Sequence, residues 1–137
     1  MQTAKVKWVG REEFLATMPS GHTVPFDADS KHNSAPGPME MLLGALGSCT
    51  AVDVIMILEK KRQKLATLEI EISGERAKEP PSVWTKIEMF YRLSGQLEEK
   101  AVRDAIELSQ NKYCSVAAML RKTAEITYRF EILQQSS

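Results

Sequence analysis

The hydrophobic pattern of the chain changes period several times, and each change predicts a new element. Apolar and polar residues alternate in several segments, as they do in half-buried strands. These segments cover residues 5–9, 14–17, 22–26, 68–72, 83–93 and 124–133. Turn-forming residues at 10–12 and 19–21 separate the first three segments. The segments 68–72 and 83–93 are predicted to pair as a wide hairpin.

Helical spacing occurs in three other segments. Met39–Lys60 is the longest, and its apolar part up to Leu58 carries only the charges of Glu40 and Asp53. Its glycines and hydroxyl residues argue against a membrane span, so we expect a helix buried on almost all sides by a helix, a sheet or another subunit. Pro38 suits the first helical position. Shorter helices are predicted at 98–110 and 115–121, with a break at 111–112.

The resulting order βββ-α-ββ-αα-β predicts the α+β class, with sheet material from both ends of the chain. A length of 137 residues with 43% hydrophobic content suits one domain over residues 1–137. The last four residues, Gln134–Ser137, are predicted to fray.

Charge and cysteine content narrow the class of protein. The chain has 18 Lys+Arg and 18 Asp+Glu, so its net charge gives no reason to expect binding to nucleic acid or to an anionic membrane. The two cysteines are too few for a disulfide-stapled secreted scaffold, and the first residues lack the apolar region of a secretory signal. We therefore expect a cytoplasmic protein in a reducing compartment.

Cys49 and Cys114 are the candidate reactive groups, and each has two interpretations. Cys49 lies among small residues near the middle of the long helix, where a thiol is either a packed core residue or a nucleophile. Cys114 lies where one helix ends and the next begins. Backbone N–H groups there can stabilise a thiolate by about a pKa unit or more, or the side chain merely packs.

Two thiols in a reducing compartment can form a redox couple. One thiolate attacks a peroxide oxygen and becomes a sulfenic acid, which the other thiol traps as a disulfide. The attacking thiol needs a cation, and the fork of donors of an arginine suits this task best. Arg11 in the first turn and Arg76 after the fourth strand are the candidates, although such an arginine is more often a solvated surface charge.

Two segments resemble the OsmC/Ohr family. Pro38–Cys49 (PMEMLLGALGSC) is similar to the first cysteine block of that family. Lys112–Leu120 (KYCSVAAML) is similar to the second, with Ser115 where the family often has proline. The order of strands and helices agrees over nearly the whole chain, so the chain is identified as a member of this family.

The resemblance implies strongly curved antiparallel sheets wrapped around two long central helices in an intertwined homodimer. It also implies a thiol-dependent peroxidase that reduces small organic hydroperoxides in defence against oxidative stress. Cys49 would be the peroxidatic nucleophile, Cys114 the resolving thiol and Arg11 the activating cation. An external dithiol would restore the thiols, and no cofactor would be needed.

The chain departs from the family pattern after Pro38. The family peroxidases have glutamate at the next position, where this chain has Met39. Glu40 is no simple substitute, because on an ideal helix it lies on the face opposite Cys49, whereas Met39 lies about 80° from Cys49. We expect Glu40 to cap the helix start, with contact to a partner subunit as the alternative.

Asp53 and the two histidines are the other polar residues whose roles the sequence suggests. Asp53 lies one turn beyond Cys49 and shares its face, where its charge would oppose thiolate formation; a carboxylate paired across a dimer is the alternative. His22 and His32 lack metal-ligand spacing, so we expect surface residues and no metal site.

These residues are compatible with three functions. The leading hypothesis is the two-cysteine peroxidase. The second is a protein of the same fold that binds a small apolar or electrophilic ligand with little or no turnover, which Met39 favours. The third is a structural interaction protein in which the cysteines are incidental.

Overall fold

The computed structural model describes residues 1–133, and its elements follow the predicted order. The predicted frayed tail, Gln134–Ser137, lies outside the described residues. The first half consists of β1 (Lys5–Gly10), β2 (Glu13–Thr17), β3 (Thr23–Asp27) and α1 (Pro38–Lys60). The second half consists of β4 (Lys64–Arg76), β5 (Trp84–Gln96), α2 (Glu99–Leu108), a π-helical turn (Ser109–Tyr113), α3 (Ser115–Leu120) and β6 (Glu125–Leu133).

The chain divides into two compact units, Met1–Leu42 and Leu43–Ser137, and the division falls inside α1. The first unit contains an antiparallel sheet in the order β1-β2-β3. Its first turn requires Gly10 and Arg11, which both have positive φ angles of 117° and 49°. A glycine adopts such a φ without steric cost, and this allows the chain to reverse there. That both units form one domain remains a prediction.

The second unit contains a sheet in the order β4-β5-β6. β4 and β5 pair antiparallel from Lys64↔Gln96 to Arg76↔Trp84, which confirms the predicted hairpin and extends its first strand well beyond 68–72. β5 and β6 pair parallel, so the expectation of antiparallel sheets alone is wrong for this unit. Two helices connect β5 to β6, and such a crossover returns the chain in the same direction.

The core of the second unit lies on one face of β5. Alternate residues of this strand point inward, as the period of a strand requires. The fully buried apolar side chains of β5 and α2 are Ile87, Met89, Tyr91, Leu93, Val102, Ala105 and Ile106.

The predicted break after residue 110 is wrong, because the polypeptide stays helical through Tyr113 in a wider π-helical turn.

α1 is less buried than its sequence predicts. Its buried residues form one stripe four positions apart, Leu46, Thr50, Val54 and Leu58. Val52, Ile55 and Met56 remain exposed, so burial on almost all sides is not achieved within one chain. By length and composition α1 could cross a membrane, but the core helix of a soluble protein passes the same test.

Candidate functional site

Cys49 and Cys114 meet in the second unit. Cys49 lies on α1 and is half-buried, whereas Cys114 immediately precedes α3 and is buried; both are free thiols. The Cys49 thiol acts on the pKa of Cys114, so the two side chains lie close together. The fold therefore brings together the two residues that the sequence offered as a redox couple.

The backbone around Cys114 holds its sulfur in place. The Cys114 N–H donates to the Ser109 carbonyl at 2.8 Å, which closes the π-helical turn. The Cys114 sulfur accepts a hydrogen bond from the Ala117 N–H at 3.4 Å. π-helical turns occur frequently at functional sites.

The two influences expected on Cys114, the helix start and packing in the core, act on its pKa in opposite directions. The Ala117 N–H does lower it, but burial acts in the opposite direction and dominates. Burial first, and then the contact with Cys49, raises the pKa of Cys114 from 9.0 to about 11, because a buried thiolate loses its hydration. Cys114 is therefore a protonated thiol at neutral pH.

Asp53 stands beside the thiols, as its place one turn after Cys49 predicts. Its negative charge adds to the rise in the pKa of Cys114. Its Oδ2 atom accepts a hydrogen bond from Ser109 Oγ at 2.8 Å. Asp53 also lines a small open cavity of about 200 Å³ with Met56, Ile57, Lys60 and Tyr113.

A series of hydrogen-bonded, buried polar side chains, the polar chain, continues from Ser109 across the core. Thr50 Oγ1 lies 2.7 Å from Ser109 Oγ and 2.7 Å from the Tyr91 hydroxyl. Gln110 Nε2 donates to the Tyr91 hydroxyl at 2.6 Å. Arg121 donates to Gln110 Oε1 at 3.3 Å and to its backbone carbonyl at 2.9 Å. Burial raises the pKa of Tyr91, so its hydroxyl stays protonated.

Sequence reasoning missed the polar chain. One signal was available: Thr50 interrupts the apolar stripe of α1 with a hydroxyl at a core position. A buried hydroxyl requires a hydrogen-bond partner, so Thr50 alone predicts a polar group opposite it.

The two candidate arginines have different surroundings. Arg11 is exposed in the turn between β1 and β2 in the first unit, where its carbonyl accepts a hydrogen bond from the Trp8 indole at 2.9 Å. Arg76 ends β4, donates from Nε to the Ser82 carbonyl at 2.8 Å and stacks over Trp84. These contacts make Arg76 part of the hairpin end, whereas the role of Arg11 remains a prediction.

Glu40 caps the start of α1, as expected. Its Oε1 atom accepts a hydrogen bond from the Gly37 N–H at 3.2 Å. This contact satisfies a backbone donor that has no helical partner, and it places a negative charge at the positive end of the helix. Glu40 therefore has a local structural role at the start of α1.

The first unit contains a second polar cluster, formed by Glu13, Asp27 and His32. His32 is exposed, as predicted, and it also contacts this cluster. Its Nδ1 atom lies 2.8 Å from Asp27 Oδ2, which also accepts from the backbone N–H and the hydroxyl of Ser34. Asp27 Oδ2 already contacts the His32 ring and the Ser34 N–H, and it shares the Ser34 hydroxyl with Glu13, so the arrangement suits a hydrogen-bonded loop better than a metal ion. His22 is exposed and contacts Ser20.

Comparison with known proteins agrees with this fold. The model of the family described as OsmC-like protein matches residues 31–129. Protein YhfA of Escherichia coli strain K12 is 43% identical over 131 residues, which cover 95% of this chain and 97% of that protein. The crystal structure of a hypothetical protein from Aquifex aeolicus VF5 has a TM-score of 0.89 and 32% identity, covering 99% of this chain and 98% of that one.

An organic hydroperoxide resistance protein OsmC from Legionella pneumophila shares the fold at lower similarity. Its TM-score is 0.72 at 10% identity, with 96% of each chain covered. The match to the family model and the identity to YhfA together establish that this chain belongs to the OsmC-like protein family.

Proposed function

We propose that this protein is a thiol-dependent peroxidase that reduces small organic hydroperoxides and protects the cell against oxidative stress. The proximity of the Cys49 and Cys114 side chains carries the proposal, because a two-thiol peroxidase needs its two sulfur atoms near each other. The family and the hydroperoxide resistance proteins that share its fold support it. A reducing cytoplasm is the proposed location.

The two thiols would act in sequence. The Cys49 thiolate attacks the outer oxygen of the hydroperoxide, the O–O bond breaks, and the alcohol leaves after taking a proton. Cys49 is then a sulfenic acid. Cys114 attacks its sulfur, the S–S bond forms, and the hydroxyl leaves with the Cys114 proton as water. An external dithiol reduces the disulfide and completes the cycle.

Exposure supports this assignment of roles. Cys49 is half-buried, whereas Cys114 is only 3% exposed. A hydroperoxide therefore reaches Cys49 more easily, and the buried sulfur is better suited to resolve the sulfenic acid.

Arg11 is the proposed activator of Cys49. Its guanidinium can donate to a thiolate and to a peroxide oxygen together. Met39 stands where family peroxidases have a glutamate that holds this arginine, so activation is expected to be weaker here. Met39→Glu should raise the peroxidase rate if the missing carboxylate is the only defect, and an unchanged rate would reject that explanation.

A homodimer is part of the proposal. α1 exposes Val52, Ile55 and Met56, although its sequence is that of a helix buried on almost all sides. A second copy of α1 would cover this surface. Light scattering should give the mass of a dimer, and Ile55→Glu should shift the protein toward monomer; a wild-type monomer at micromolar concentration would reject the dimer.

Thiol titration before and after one equivalent of cumene hydroperoxide tests the function. We expect rapid loss of both thiols, and mass spectrometry should locate a disulfide between Cys49 and Cys114. Cys49→Ser should abolish peroxide consumption, whereas Cys114→Ser should stop at an oxidised Cys49. Persistence of both free thiols in the wild type would contradict the proposal.

That contrary result would favour a second function, a protein of this fold that binds a small ligand with little or no turnover. The raised pKa of Cys114 favours it, because a thiol that stays protonated resolves a sulfenic acid slowly.

A further inference from the structure

The polar chain that begins at Asp53 has a single possible direction of hydrogen bonding. Ser109 Oγ donates its one proton to Asp53. Thr50 must therefore donate to Ser109, since a hydroxyl has only one proton. For the same reason the Tyr91 hydroxyl must donate to Thr50. The Tyr91 oxygen then accepts from Gln110, so every hydroxyl in the chain points toward Asp53.

Two charged groups lock this direction. At one end the guanidinium of Arg121, which can only donate, contacts Gln110 Oε1 and so turns the Gln110 amide nitrogen toward Tyr91. At the other end the carboxylate of Asp53 accepts the last hydrogen bond, from Ser109 Oγ. Hydrogen bonds in such a chain polarise and strengthen one another in a buried environment.

The polar chain is connected to the thiols through the π-helical turn. Ser109 supplies both the hydroxyl that binds Asp53 and the carbonyl that binds the Cys114 N–H. Gln110, the next residue, is held by Arg121 and Tyr91. The turn that ends at Cys114 is thereby tied to α1, β5 and the end of α3.

We infer that this series of hydrogen-bonded side chains, from Gln110 to Asp53, is a positioning device for the thiol pair: it anchors the turn that presents Cys114 to Cys49, and it holds the Asp53 carboxylate near Cys114. The charge of Asp53 adds to the larger effect of burial in keeping Cys114 protonated, and Cys49 is the sulfur left free to react. The significance of this assignment for turnover rests on the proposed peroxidase function, whereas the assignment itself does not.

Other titratable groups surround the pair. Cys49 and Asp53 act on Cys114 from α1. Tyr91 of β5 interacts with Cys114, and Tyr128 of β6 interacts with Tyr91. Arg121 follows α3, and Lys60 and Tyr113 line the cavity beside Asp53. The test must therefore isolate the charge of Asp53 from these groups.

Nuclear magnetic resonance of ¹³Cβ-labelled cysteine provides this separation. In the Cys49→Ser protein Cys114 gives the only cysteine signal, and its chemical shift against pH reports its titration without any reagent entering the core. Adding Asp53→Asn should move the titration midpoint downward, because a neighbouring negative charge is removed. Asp104→Asn, at a half-buried carboxylate paired with Lys100, is the matched control and should leave the midpoint in place.

Hydrogen exchange tests the anchoring separately. Thr50→Val removes the hydroxyl that links Tyr91 to Ser109. The hydrogen-exchange rate of the Cys114 amide should then rise by about tenfold or more relative to the amides in the strands of the same protein. Thr50→Ser keeps the hydroxyl and should restore protection. An unchanged Cys114 midpoint in folded Asp53→Asn, or uniformly faster exchange in Thr50→Val, would overturn the inference. Neither measurement uses peroxide, so a failed peroxidase assay would not decide it.

Discussion

Asp27 of the first unit and Asp53 of the second are both carboxylates that accept hydrogen bonds, yet their surroundings differ. Asp27 accepts from the backbone N–H groups of Asp29 and Ser34 and from the His32 ring. All these donors lie within seven positions of Asp27. Asp53 accepts from the hydroxyl of Ser109, which lies 56 positions away.

The difference shows how surroundings decide the task of a carboxylate. The Ser34 N–H first, and then the His32 ring, hold the pKa of Asp27 well below its ordinary value, so this carboxylate fastens its own loop. Asp53 instead ends a chain of hydroxyls and raises the pKa of a neighbouring thiol. Local backbone donors stabilise a loop, whereas distant side-chain donors assemble a site.

The largest expected effect comes from removing the loop carboxylate. Asp27→Ala leaves the N–H groups of Asp29 and Ser34 without their acceptor in a part-buried position. The melting temperature should fall by about 10 °C, because buried unsatisfied donors are among the most destabilising changes. Differential scanning calorimetry at neutral pH measures this. Asp29→Ala, which loses one contact with Lys31, should cost much less.

Acid should sharpen the same contrast. A lowered pKa in the folded state means that Asp27 stabilises the protein fully above its ordinary pKa of 3.8 and loses this contribution as the pH falls below it. The difference in melting temperature between wild type and Asp27→Ala should therefore narrow between about pH 5 and about pH 2. A difference that stays constant over this range would show that ionisation of Asp27 is irrelevant.

An intermediate effect is expected in the polar chain. Tyr91→Phe leaves Gln110 Nε2 with the Met89 sulfur alone and removes the donor to Thr50, so the free energy of unfolding should fall by about 1–3 kcal/mol. Urea denaturation measures the change. Tyr113→Phe removes a hydroxyl from a side chain that is 49% exposed, and it should change stability by less than about 0.5 kcal/mol. Equal effects of the two variants would contradict the buried chain.

The smallest effect is expected at the third carboxylate, Glu40. Glu40→Ala removes the acceptor for the Gly37 N–H and the charge at the start of α1, so stability should fall by about 0.3–1 kcal/mol. Urea denaturation at low ionic strength measures this best, since salt screens the helix dipole. Glu79→Ala, in an exposed loop, is the control. A loss in Glu40→Ala above about 2 kcal/mol would indicate a larger role than capping.

Local patterns made most of the fold predictable. Alternation and helical spacing gave the order of the strands and helices, and helix geometry placed Asp53 on the face of Cys49. The full length of β4 escaped prediction because pairing with β5 supplies its hydrogen bonds where the apolar alternation ends. The exposure of α1 was also missed, because an apolar sequence does not reveal which chain covers it.

The sequence by itself therefore determined the elements, the two cysteine segments and the cap of α1 by Glu40, since each depends on residues close together in the chain. Only the tertiary structure decided that β6 runs parallel to β5, that Cys49 contacts Cys114, and that burial raises the pKa of Cys114. It also decided the polar chain, in which Thr50 meets Tyr91 and Ser109 across 41 and 59 positions. Such contacts depend on how the elements pack, and no short-range pattern of residues encodes that packing.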